Sequence, residues 1–155
     1  MKTSTHVYSS AILSGTIFAL TQSAPMAVSA FVSGVLIDLD HVPDFLIFSG
    51  ERFSIKAFFS WFHDTKWEKV TLLFHSYELY LMLCIITFMY PDPVLVGVLL
   101  GCGLHLALDQ IGLRSFGLRF GFQPAPMYYF LSYRYYVGFH KSRLLRNHPI
   151  EHQRG

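Results

Sequence analysis

Apolar residues gather into four runs, Val7 to Leu20, Pro25 to Ile37, Thr71 to Tyr90 and Val94 to Gln110, and no proline interrupts any of them past its first residue. Each run predicts a helix. The first two have the length of an ordinary core helix, while the third and fourth approach the roughly 20 residues that cross a bilayer. Breaks fall near Ser23 to Pro25 and at Pro91-Asp92-Pro93, where proline forbids helix continuation. The chain therefore goes out and back twice. Between the second and third runs, Ile55, Phe58, Phe59 and Phe62 recur at the spacing of one helical face, with Trp61 and Trp67 nearby. That stripe predicts an amphipathic helix, lying in a membrane interface or capping the core. After Asp109 the glycines at 112, 117 and 121 and the pair Pro124, Pro126 read as loop, and a last helix is expected over Met127 to Leu145, aromatic and then basic. The expected fold is all-α: an up-down bundle of four main apolar helices, an interfacial amphipathic helix and a basic aromatic C-terminal helix. Residues 1–155 are expected to form one helical domain, with a core over 5–110 and a basic aromatic tail over 111–155.

Charge changes this picture by adding a side. All 12 Lys and Arg lie outside the four runs, on the same side as the run ends that carry His and Asp, and the opposite loops carry none. If the runs cross a membrane, the positive-inside rule makes that side cytoplasmic. Apolar content of 52% with 14% charged residues lies between a soluble globule and a multi-span protein, so composition alone does not decide the environment. Small residues at four-residue spacing, Ala30 with Gly34 and Gly97 with Gly101, allow close helix approach and favour lipid. Lys2, the stretch Ala11 to Leu20 and Ala27-Val28-Ser29-Ala30 mimic a signal peptide, but cleavage there would discard His6. Basic residues mixed with Tyr and Phe after Arg114 suit anionic lipid headgroups. No nucleic-acid partner is expected, because no nucleic-acid-binding signature accompanies the charge. Cys84 and Cys102 read as small packing residues.

The candidate chemistry sits at the run ends. His6 opens the first run, Asp38-Leu39-Asp40-His41 closes the second, His75 starts the third, and His105 with Asp109 closes the fourth. Up-down threading brings all of them into one layer. His105 and Asp109 are four apart and share a helix face; Asp38 with His41, and His75 with Glu78, repeat the pattern at three. Neutral imidazoles beside hard carboxylates are what a hydrolytic metal site requires. The expected metal ligands are His6, Asp38, Asp40, His41, His75, His105 and Asp109, with Asp40 bridging or orienting and Glu78 as general base. Asp38, His105 and Asp109 follow long apolar stretches, and a buried carboxylate requires a cation or hydrogen-bond donors.

These residues carry a resemblance. Thr5-His6, Gly34 with Asp38-Leu39-Asp40-His41, His75-Ser76 and Gly103-Leu104-His105-Leu106-Ala107-Leu108-Asp109 look like the successive TH, PDxDH, THS and HLxLD motifs of the bacterial membrane-bound metal-dependent hydrolase family. Residues 5 to 110 are covered. Ile37 stands where that family usually has Pro, Phe74 replaces the Thr of THS, and Val70 occupies the position of a usual His, for which His63 is a substitute candidate. The resemblance implies a helical inner-membrane protein with a divalent-metal hydrolase site. The HxxxD element more distantly resembles zinc-dependent phospholipase C, which implies Zn2+, with Mn2+ or Fe2+ as alternatives, and a phosphoester substrate, with membrane lipid as the partner.

Overall fold

The computed structural model describes residues 3–63, 67–125 and 127–146. It is mostly helical with almost no strand, as the sequence pattern requires. Helix α1 spans Thr3–Thr21 and α2 spans Ala24–Leu36. The break between them follows from Gln22, held at φ 55, and from Ser23, whose side chain caps α2 by accepting from the Met26 amide while Pro25 enters its first turn. A 3-10 turn over Ile37–Asp40 leads into α3, His41–Phe48. The helix resumes there, because Pro43 lies in the first turn of α3, where its missing N–H costs nothing. Helix α4 spans Ile55–His63, α5 Tyr77–Met89 and α6 Pro93–Phe120. Ser76 caps α5 through the Leu79 amide, and the Asp92 side chain accepts from the Val94 amide at 2.8 Å as α6 begins. The tail holds β1 (Gln123–Pro124), α7 (Leu131–Tyr136), α8 (Lys141–Leu144) and β2 (Leu145–Arg146).

The expected helix over Met127 to Leu145 is therefore two short ones. Gly138 at φ 69 and Phe139 at φ 60 take the left-handed conformation between them, which no α-helix continues through. The residues His148 and His152, expected in a solvated tail, lie outside the described residues.

Two compact units are defined by chain contacts: residues 1–41 with 72–111, and residues 42–71 with 112–155. In the first, Ile17, Ala27 and Ala30 form a buried apolar cluster, polar side chains such as His75 and His105 are buried as well, and many large apolar side chains are exposed. Ser14 donates to the Ala27 carbonyl at 2.8 Å, Ser33 to the Val98 carbonyl at 3.3 Å, and Ser10 is buried. A Cβ on Gly97 would strike Ser29 and the Met26 carbonyl, and one on Gly101 would strike Ser33 and the Ala30 carbonyl. The glycine pair anticipated as a close-packing motif is thus the seam between α2 and α6. Meanwhile Ile12, Leu20, Val28, Leu81, Met82, Ile85, Phe88 and Met89 are exposed.

The second unit is built on aromatics. Phe45, fully buried, meets Phe53, Phe58 and Trp61 edge-on at centroid distances of 5.9, 5.7 and 5.7 Å. The stripe on α4 is thereby split: Phe58 and Phe62 pack inward, while Ile55 and Phe59 stay exposed. Asp44 accepts from the Thr71 amide at 2.8 Å, and β1 pairs antiparallel with β2.

Candidate metal centre

Four side chains from three places in the sequence converge inside the first unit. Asp38 comes from the 3-10 turn after α2, His75 from the residues just before α5, and His105 and Asp109 from adjacent turns of α6. Nε2 of His75 lies 3.1 Å from Nε2 of His105, 3.4 Å from Oδ1 of Asp38 and 3.1 Å from Oδ2 of Asp109. Nε2 of His105 lies 3.3 Å from Asp38 Oδ1 and 3.2 Å from Asp109 Oδ2. A tetrahedral ion with bonds of about 2.0–2.1 Å separates its ligand atoms by about 3.3 Å. The five distances scatter around that value, so the group is able to hold a metal ion.

Tautomers strengthen the case. Nδ1 of His105 is 2.8 Å from the Gly34 carbonyl, which only accepts, so Nδ1 carries the proton. Nδ1 of His75 is 3.1 Å from Asp40 Oδ2, again an acceptor. Neutral rings fixed this way aim two Nε2 lone pairs and two carboxylate oxygens at one point. Only a cation, or protons in its place, makes that arrangement favourable.

The carboxylates feel the same demand. Burial pushes the Asp38 carboxyl up, yet hydrogen bonds to His105 and His75 override burial and hold it well below the usual carboxylate range. Asp40 behaves alike: burial raises it, and His41 and His75 bring it far down. For His75, burial opposes protonation, but Asp109, Asp38 and Asp40 win and raise it well above the ordinary imidazole value.

The remaining expected residues take places around these four. Asp40, buried, accepts from the Phe74 amide at 2.9 Å as well as from His75, so it orients His75 from behind. His41 sits beside it, with Nδ1 3.1 Å from Asp40 Oδ1 and 3.1 Å from the Asp38 carbonyl; Asp40, His41 and His75 form a second cluster of ligand-type atoms that shares His75 with the first. His6 reaches the centre from the start of α1: its Nε2 donates to Asp109 Oδ1 at 3.0 Å, and its ring stacks on His105 at 4.0 Å. Glu78 lies in the first turn of α5 and is in neither cluster. The His63 side chain lies outside the described residues. Sequence reasoning missed the Gly34 carbonyl, since a backbone acceptor leaves no residue-type signal. It also missed the buried hydroxyls of α1 and α2, although the four-residue spacing of Ser10 with Ser14 and Ser29 with Ser33 was there to read.

Helix α6 over Pro93–Ser115 is long and apolar enough to cross a membrane. No family model, curated protein or solved structure matches the chain.

Proposed function

We propose that this chain is an inner-membrane protein of four up-down apolar helices that holds a divalent ion, most simply Zn2+, at Asp38, His75, His105 and Asp109, and hydrolyses a phosphoester at the cytoplasmic membrane surface. The observation that carries the reading is the convergence of two Nε2 lone pairs and two carboxylate oxygens at the spacing of tetrahedral ligands. Borderline-hard N and O donors in a four-fold set suit zinc best, with Mn2+ and Fe2+ as alternatives. The many exposed large apolar side chains around buried serines and histidines support a lipid environment.

A divalent cation held by Asp38, His75, His105 and Asp109 would supply Lewis-acid polarisation of a phosphoryl oxygen and would lower the pKa of a water taken up beside these four donors. The chain's own residues do the rest. Asp40 and the Gly34 carbonyl hold the two imidazoles in the tautomer that presents Nε2. Asp38, at 30% exposure against 2% or less for the imidazoles, is the ligand on the solvent side, where substrate arrives. Glu78 is assigned the attacking water's proton, three residues along from His75. A phosphoester of lipid is the substrate class, by analogy with other all-α zinc hydrolases.

A structural metal is the second reading, and one observation favours it: protein atoms already fill all four corners, as in closed structural sites. Asp38→Asn separates the two. The hydrolase reading predicts loss of phosphodiesterase turnover in detergent-solubilised protein with most of the thermal stability kept. The structural reading predicts no turnover in the parent protein and a fall in melting temperature on substitution.

A further inference from the structure

Asp40 and His41 were expected among the ligands and stand outside the group of Asp38, His75, His105 and Asp109. Asp40 divides its work between two oxygens. Oδ2 accepts from the Phe74 amide at 2.9 Å and from Nδ1 of His75 at 3.1 Å. Oδ1 is buried, on a side chain only 4% exposed, and makes no hydrogen bond among the described residues. Nδ1 of His41 lies 3.1 Å from it but is directed at the main-chain carbonyl of Asp38, also 3.1 Å away. A buried carboxylate oxygen without a donor is costly, and a cation removes the cost. Ligands at right angles on an octahedral ion with bonds of about 2.1 Å stand about 3.0 Å apart, which both spacings match.

We infer that Asp40 Oδ1, His41 Nδ1 and the Asp38 carbonyl form a second, weaker cation position beside the first, suited to a hard divalent ion such as Mn2+. This rests on the metal-dependent hydrolase reading and deepens it, because Asp38 serves both positions: its Oδ1 faces His75 and His105, and its carbonyl faces His41. His75 shares the second cluster but is already committed, with Nε2 at the first position and Nδ1 on Oδ2 of Asp40. In the ion-free protein Nδ1 of His41 holds its proton toward the carbonyl; on loading, the ring takes its other tautomer and turns that lone pair to the ion. Two oxygens and one imidazole suit Mn2+, and three protein donors leave open positions for water and for a phosphoryl oxygen, beside any water the first ion takes up. His41, 21% exposed, and Asp38, 30% exposed, give a hydrated ion access from solvent. With a single charged donor the ion exchanges readily, so it is held when Mn2+ is supplied and lost during purification.

Free Mn2+ has a sharp paramagnetic resonance signal that disappears on binding, so it counts bound ions without turnover. Full-length protein in detergent, already holding one Zn2+ per chain, is titrated with Mn2+, and its zinc content is measured afterwards. One additional Mn2+ per chain is expected with the zinc retained, because Zn2+ is the tighter binder at imidazole donors. His41→Phe keeps a ring edge-on to His75 and removes the nitrogen ligand; its Mn2+ affinity should fall roughly 10-fold or more, at least the effect of removing a residue that orients a ligand, with zinc content unchanged. His41→Ala should do the same and serves if the phenyl ring disturbs folding. Retained zinc with no Mn2+ uptake, uptake that expels the zinc, or equal uptake by the parent and both variants overturns the second position and leaves the first standing. A parent protein that binds neither ion overturns both.

Discussion

At the level of single residues the centre is defined by which nitrogen holds a proton. Gly34 and Asp40 act through that choice, so Asp40→Asn, which keeps shape but loses the charge that orders His75, should weaken metal binding roughly 10- to 100-fold without unfolding the protein; competition with a chromophoric chelator measures it. The pH dependence follows from the shifts. His75 is raised, so its contribution to the metal-free protein is complete below about pH 6.5, its ordinary value, and drains away as pH climbs through the raised one. Asp38 and Asp40 are depressed, so theirs is present above about pH 4 and is lost only in strong acid. Metal-loaded protein needs His75 unprotonated. The melting temperature without metal should therefore fall from pH 6 to pH 9 while the gain on adding metal grows; a gain that shrinks over that range contradicts the assignment. From sequence, the gathering of His75, His105, Asp38 and Asp109 was legible because their types and run-end positions are unusual for an apolar chain. The division of the expected ligands into the group of Asp38, His75, His105 and Asp109 and the group of Asp40, His41 and His75, with His6 against Asp109, was not, because it depends on angstrom-level reach.

Among the elements, the seam between α2 and α6 governs the centre, for α2 leads into Asp38 and α6 carries His105 and Asp109. Gly101 sits on that seam with no room for a methyl group, since an added Cβ would strike the Ala30 carbonyl. Gly101→Ala is expected to destabilise by about 1–3 kcal/mol through overpacking and to weaken metal binding with it. Gly15 provides the contrast: nothing lies near its Cβ position, and Gly15→Ala should be neutral or stabilising by up to about 1 kcal/mol. Denaturant titration followed by helical circular dichroism compares them. Helix positions were readable where apolar periodicity and proline breaks agreed, as at Ser23 to Pro25 and Pro91 to Pro93. The expected helix over Met127 to Leu145 was misread, because Gly138 with Phe139 divides the basic tail.

For the whole molecule the question is what surrounds the apolar exterior of the first unit. The side chains of Phe88, Leu20 and Ile12 project outward while serines and histidines are enclosed, a pattern explained by hydrocarbon outside and polar contacts inside. The protein should fractionate with membranes and resist alkaline carbonate extraction, and a reporter fused at the Pro91 to Pro93 turn should report the side opposite to the basic residues. Recovery in the soluble fraction would remove the membrane from the proposal without touching the centre.

The most direct test of that centre is elemental analysis of purified full-length protein beside its His75→Ala and His105→Ala variants. The geometry predicts close to one divalent ion per chain in the parent and little or none in either variant, with helical content largely retained. A parent protein that carries no divalent metal, and whose melting temperature is the same with added Zn2+ as with a strong chelator, would contradict it.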